Sequence, residues 1–271
     1  MHDCVIVCSG ATFDVISARS HAGDIETFAL DGCGGVGVAG DVPAAAASVF
    51  RLYLPLCLHA GKFAVGHLGQ SLDGRIATSN GASKYVTGPG DILHIHRMRA
   101  LFDAIIVGAG TVAHDDPRLT ARLCEGDNPV RVVIYIERTL HENFQLFQDE
   151  AAPTLLFCAA DTMNGATRHG AAELVGIGRC AEGLSVRAVR GALSARGYPR
   201  HFIEGGGITV SRFLAAGCLD RLQVTVSPLI IGSGRPAITL PEVASLADGL
   251  RPKTRRFDLG DDVMFECIFD A

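Results

Sequence analysis

A chain of 271 residues, 48% of them hydrophobic, is long enough to bury one large core and too apolar to stay disordered. Its net charge of −5 lacks the basic excess that gripping a phosphate backbone requires, so nucleic acid is not an expected partner. Nine cysteines, odd in number and scattered without a C-x-x-C pair, read as reduced thiols in a cytoplasm.

Residues 1–60 are rich in Ala and Gly and carry no clear element pattern. Their longest apolar stretch, Pro43 to Ala60, is broken by Arg51 and Pro55 and falls short of a membrane span. Met1-His2-Asp3-Cys4 lacks the basic start of a secretory signal. A cytoplasmic protein with no membrane partner is expected. These residues are read as an N-terminal extension of unassigned role, with a boundary near Gly61 and a second unit over residues 61–271.

Lys62 to Leu68 then reads as an apolar strand, followed by the turn-prone Ser71-Leu72-Asp73-Gly74-Arg75. Thr87-Gly88-Pro89 supplies a helix start, and Ile92, Ile95, Met98 and Phe102 recur at helical spacing, predicting a buried face. Ala104 to Val107 is fully apolar and opens into Gly108-Ala109-Gly110-Thr111, as a central strand does on entering a loop. Similar runs recur at Val130 to Tyr135, Thr154 to Cys158, Phe202-Ile203 and Leu222 to Val226. Strands buried on both faces and separated by helical stretches predict an α/β fold with a mostly parallel central sheet flanked by helices. At the end, Arg256 to Leu259 and Val263 to Phe269 flank Gly260-Asp261-Asp262, which predicts an antiparallel hairpin.

Several residues stand out chemically. Gly205-Gly206-Gly207 precedes a predicted helix from Ile208 to Ala216, and a helix N-terminus offers free N–H donors and a positive dipole end to an anion. Glu204 closes a buried strand, where a carboxylate needs a partner. Arg99 and Arg122 carry planar forks suited to phosphate, with a surface carboxylate as the alternative partner. No metal is expected: H-x-E and P-C-x-x-C are absent from residues 1–60, and His94 and His96, two apart on a helix, point in different directions.

Three blocks occur in order: Leu68 to Ala77 with Gly81 to Pro89; Arg97 to Leu101 with Val107 to Val112 and Asp115 to Arg122; and Phe202 to Gly207 with Asp220-Arg221-Leu222 and Ser227 to Gly232. Together they resemble the reductase domain of the bifunctional riboflavin-biosynthesis deaminase-reductase over about residues 62–270. The resemblance implies a dihydrofolate-reductase-like fold, a homodimer and NADPH as cofactor. It further implies reduction of the ribosyl group of a 5-phosphoribosylaminopyrimidine to the ribitylamino form.

It places Ser83, Arg99, Leu119, Arg122 and Glu204 against substrate. Gly69, Tyr85, Thr111, Asp115, Gly206, Gly207, Ile208, Thr209 and Val210 fall to the cofactor, although the Tyr85 ring could equally belong to the core. Glu204 and His67 are the candidate catalytic residues. His67 stands where the family has a lysine, and Tyr135-Ile136 where it has an aspartate and a small residue, while Arg138 lies near enough in sequence to meet a 2′-phosphate. These departures keep two alternatives open: a reductase of another heterocycle, such as a pteridine, or a nucleotide-binding protein without turnover.

Overall fold

The computed structural model describes residues 5–9, 12–16, 29–30, 36–37, 44–181 and 183–269. Two short antiparallel pairs, Val5–Ser9 with Thr12–Ile16 and Ala29–Leu30 with Val36–Gly37, come first, then helix α1 (Ala44–Cys57). A ten-stranded sheet forms the body. In chain order its strands are β1 (Phe63–Ser71), β2 (Ala104–Gly108), β3 (Val130–Ile134), β4 (Thr154–Ala159) and β5 (Arg168–His169). They continue with β6 (Ala172–Ile177), β7 (Arg200–Glu204), β8 (Arg221–Ser227), β9 (Lys253–Leu259) and β10 (Asp262–Ile268). Helices α2 (Pro89–Leu101), α3 (Ala109–Asp115), α4 (Val186–Ala195) and α5 (Gly207–Ala215) connect them.

Across the sheet the order is β5-β6-β4-β3-β2-β7-β1-β8-β10-β9. Strands from β6 through β8 run parallel, and antiparallel neighbours close both edges. This is the α/β architecture that the apolar runs predict. The parallel strands are buried on both faces because helices cover each side, and Ile105, Ile106, Val132 and Val133 are fully shielded. Successive residues of β1 divide between the two layers. Phe63 and Val65 pack with Tyr53 of α1 and Met98 of α2, whereas Ala64 and Leu68 pack with Val189 of α4 and Phe213 of α5.

Three expectations change. First, the core crosses the boundary expected near Gly61. Leu52, Tyr53 and Leu56 of α1 are buried in the same cluster as Phe63, and the buried Arg200 donates to the Leu56 carbonyl at 2.8 Å. Second, only Met98 and Phe102 of the predicted α2 face are buried; Asp91 and His94 complete it, because each finds polar partners inside. Third, Cys57 is disulfide-bonded, so the reading of every cysteine as a reduced thiol fails, although Cys158, Cys180, Cys218 and Cys267 are free.

The hairpin is longer than predicted, and Met264 with the polar Asp262 and Glu266 forms its buried face. Phe265 on the opposite face is 39% exposed. Glu266 tolerates burial because Arg221, at 3.1 Å, and Arg255, at 2.9 Å, both reach it. Among the described residues no helix is long and apolar enough to cross a membrane.

The chain lays down β1, moves outward through β2, β3 and β4, and returns to insert β7 between β2 and β1 before adding β8 on the far side. Loops leaving the C-terminal ends of β1, β2 and β7 therefore diverge and leave a crevice, the usual place for a ligand in such sheets.

Candidate active site

A cleft of about 1080 Å³ occupies that crevice. One wall is the turn from β7 into α5. Gly205 and Gly206 have φ values of +85° and +65°, a region that side chains disfavour, and a Cβ on Gly207 would lie 2.4 Å from the Ala237 carbonyl oxygen. No side chain caps α5, so its leading amides open towards the cleft. The facing wall is the turn from β2 into α3. A Cβ on Gly108 would lie 2.4 Å from Thr209 Oγ1, so glycine there lets the two loops close on each other.

The floor is formed by His67, midway along β1, and its register partner Glu204 at the end of β7. His67 Nε2 donates to Asp91 Oδ1 at 3.0 Å, and Asp91 also accepts from Thr87 Oγ1 at 2.7 Å and Thr225 Oγ1 at 2.6 Å. His67 Nδ1 has no partner among the described residues, and the ring lines the cleft. Burial works against a charged imidazole, but the charge and hydrogen bond of Asp91 outweigh it and raise the His67 pKa above 6.5. Burial likewise opposes ionisation of Asp91, yet His67 and then Thr225 hold its carboxyl well below the usual range. His94 stays neutral beside them: burial and the His67 charge push it down to about 4, and it bridges Tyr53 Oη at 2.7 Å and Gln223 Oε1 at 2.9 Å.

Most of the residues singled out from sequence converge here. Gly206, Gly207, Ile208 and Thr209 line one wall, and Thr111 and Asp115 the other. Gly69, Ser83 and Tyr85 lie along the rim and floor, with Ser83 Oγ donating to Asp115 Oδ1 at 2.9 Å across the mouth. Tyr85 is 84% exposed, so its ring is not core.

Four residues do not line it. Val210 points into the core from the inner side of α5, so any cofactor contact there is limited to the helix backbone. Leu119, at φ +55°, is likewise buried in the core. Arg99 lies behind Glu204 and grips it with both arms of its fork, at 2.8 and 2.5 Å, while its third donor reaches the Thr120 carbonyl at 3.1 Å. Arg122 bonds Thr120 Oγ1 at 3.3 Å and lines a second hollow of about 450 Å³ together with Arg118. Its pKa is lowered by partial burial and then by Arg99 and Arg118, the mark of a crowded cationic corner. The paired phosphate clamp expected of Arg99 and Arg122 therefore changes, because Arg99 is committed to a carboxylate. Arg138 also turns away, donating to the Met163 carbonyl at 3.2 Å.

Sequence reasoning missed Asp91, since an acidic residue in the first turn of a helix reads as a complement to the dipole. It also missed Arg212 of α5, which lines the cleft.

Comparison with known proteins gives one consistent picture. Residues 65–257 match the family model described as the RibD C-terminal domain. The chain is 34% identical over 213 residues to the 2,5-diamino-6-ribosylamino-4(3H)-pyrimidinone 5′-phosphate reductase of Methanothermobacter thermautotrophicus, covering 75% of this chain and 96% of that one. It is also 34% identical over 164 residues to the riboflavin biosynthesis protein RibD of Bacillus amyloliquefaciens, covering 60% of this chain and 44% of the relative. Among solved structures, a deaminase/5-amino-6-(5-phosphoribosylamino)uracil reductase from Thermotoga maritima superposes with a TM-score of 0.64 at 27% identity. That match covers 80% of this chain and 59% of the neighbour, so the chain spans nearly all of the archaeal relative and about half of the longer ones.

Proposed function

The chain belongs to the RibD C-terminal domain family, and from that premise we propose that it reduces the ribosyl group of a 5-phosphoribosylaminopyrimidine to the ribitylamino form in riboflavin biosynthesis, with NADPH as cofactor. One observation carries the reading: an uncapped helix N-terminus and the His67–Asp91 pair open into the same cleft at the switch point of the sheet.

The cleft suits a dinucleotide: it holds about 1080 Å³, and the N-terminus of α5 opens into it with no side-chain cap. Gly206, Gly207, Ile208 and Thr209 would hold the pyrophosphate, and Gly69, Tyr85, Thr111 and Asp115 the nicotinamide half. When bound, the cofactor supplies the hydride. Glu204, fixed by Arg99, would accept hydrogen bonds from substrate hydroxyls, with Ser83 at the rim. Arg122 and Arg118 offer their hollow to the substrate's phosphate, since two cations close together favour an anion between them. His67, charged through Asp91, would give the proton that the substrate nitrogen takes up as its bond to C1 of the ribose is reduced. In keeping with the family resemblance, the enzyme would act as a homodimer in the cytoplasm.

The test is NADPH oxidation followed by absorbance in the presence of the phosphorylated aminopyrimidine. Turnover is expected, and Arg122→Ala should raise the substrate KM about tenfold or more while leaving NADPH affinity intact. Binding of NADPH without turnover would leave a nucleotide-binding protein, and turnover only with a pteridine would change the substrate. Equal loss of both affinities in the variant would remove Arg122 from the substrate site.

A further inference from the structure

Beyond its opening turn, α5 keeps one side turned to the cleft. Ile208, Ser211, Arg212 and Ala215 line it, the i, i+3, i+4, i+7 stripe of a helix. A dinucleotide with its pyrophosphate at the helix N-terminus therefore has the flank of the same helix beside its adenosine half. Arg212 stands about 7.5 Å along the axis from Gly207, five residues at the rise of an α-helix, and roughly one sugar beyond the pyrophosphate.

The surroundings of Arg212 suit an adenosine. Ile136, from the segment after β3, and Val186, at the start of α4, give the opposite wall an apolar surface. Of the guanidinium, Nη2 donates to the Leu184 carbonyl at 2.6 Å, which anchors the group and leaves its other N–H donors for an anion. The other cations of the neighbourhood are committed. Arg179 is shared between Glu137, at 2.7 and 3.1 Å, and Asp161, at 2.9 and 3.2 Å, and Arg138 is turned to Met163. Arg235, the other arginine lining the cleft, belongs to the ribbon of Arg75–Thr78 and Gly234–Pro236, and its guanidinium is bonded to His114 at 3.1 Å beside Gly81. Glu137 also lines the cleft and would repel a phosphate if bare, but the fork of Arg179 covers its carboxylate.

We propose that Arg212 receives the 2′-phosphate of the cofactor and thereby sets the preference of this enzyme for NADPH over NADH. The inference rests on the dinucleotide reading above and adds the residue that distinguishes the two cofactors. A guanidinium anchored at one nitrogen and open at the others binds a dianion with charge-assisted hydrogen bonds, whereas a ribose hydroxyl at the same place gains little from it.

The test is equilibrium calorimetry with adenosine 2′,5′-bisphosphate and adenosine 5′-monophosphate, run beside titrations with NADPH and NADH. Arg212→Gln should weaken the bisphosphate and NADPH about tenfold or more while changing the monophosphate and NADH less than about twofold. Arg212→Lys should fall between, keeping the charge and losing the fork. Equal weakening of all four ligands would mean that Arg212 serves only the fold, through Leu184, and would overturn the proposal. So would an unchanged ratio. Failure of the unaltered protein to bind either dinucleotide would instead overturn the reductase reading, which keeps the two failures apart.

Discussion

His67 shows how much a single position draws from its neighbours. As a free side chain it would titrate near neutrality, but within the cleft Asp91 holds the charge on it and leaves Nδ1 for a ligand. If His67 is the proton donor, kcat/KM falls as pH rises through its pKa. Asp91→Asn removes the opposing charge and leaves burial to act alone, so that fall should move down by about one pH unit or more. The pH profiles of both proteins, with circular dichroism to confirm folding, decide the matter, and superimposable profiles would rule the role out. The sequence displays His67 as an unusual residue within an apolar strand. It does not display Asp91 as its partner, because the two are 24 positions apart and meet only when α2 lies over β1.

At the scale of elements, the two glycine-bearing turns are the parts that sequence reads most directly. A strand running into glycine and then into a helix announces a close approach, and the overlaps at Gly207 and Gly108 bear this out. Gly207→Ala should therefore destabilise the fold by about 1 to 3 kcal/mol, as overpacking does, and weaken NADPH binding at the same time. Urea denaturation and a binding titration on the same sample check both effects. Unchanged stability would mean that the Ala237 carbonyl yields freely. The buried side of α2 is less legible, because it carries Asp91 and His94 and a hydrophobic count passes over them. The residues of α1 read as part of an extension because Arg51 and Pro55 interrupt their apolar run, although Tyr53 among them donates to His94 and ties the helix to the polar layer under the cleft.

For the molecule as a whole, buried histidines make stability depend on pH. Burial depresses both His94 and His201 from 6.5 to about 4. The unfolded chain thus takes up protons that the folded one refuses, and the stability these residues contribute is complete above pH 6.5 and is lost as pH falls through 4. His67, with its pKa raised, runs the other way, contributing fully below pH 6.5 and losing its contribution as pH rises through its folded value. The urea midpoint should decline from pH 6.5 towards pH 4, and His201→Gln should flatten that decline. An equal slope in the variant would show that His201 is protonated without cost.

The sequence by itself determined the class of fold, the order of the central strands along the chain, the glycine turn into α5 and, through its three ordered blocks, the family. Each of these depends on neighbours within a few residues, where periodicity and backbone sterics act. Only the tertiary structure decided that Arg99 grips Glu204, that Arg122 opens onto a separate hollow, that Leu119 and Val210 face inward, and that Asp91 sits beneath His67. Leu119 and Val210 follow the apolar packing, and the charged pairs follow from which oppositely charged groups the sheet and helices bring together away from water. A buried charge takes the partner that packing delivers, wherever that partner lies in the chain.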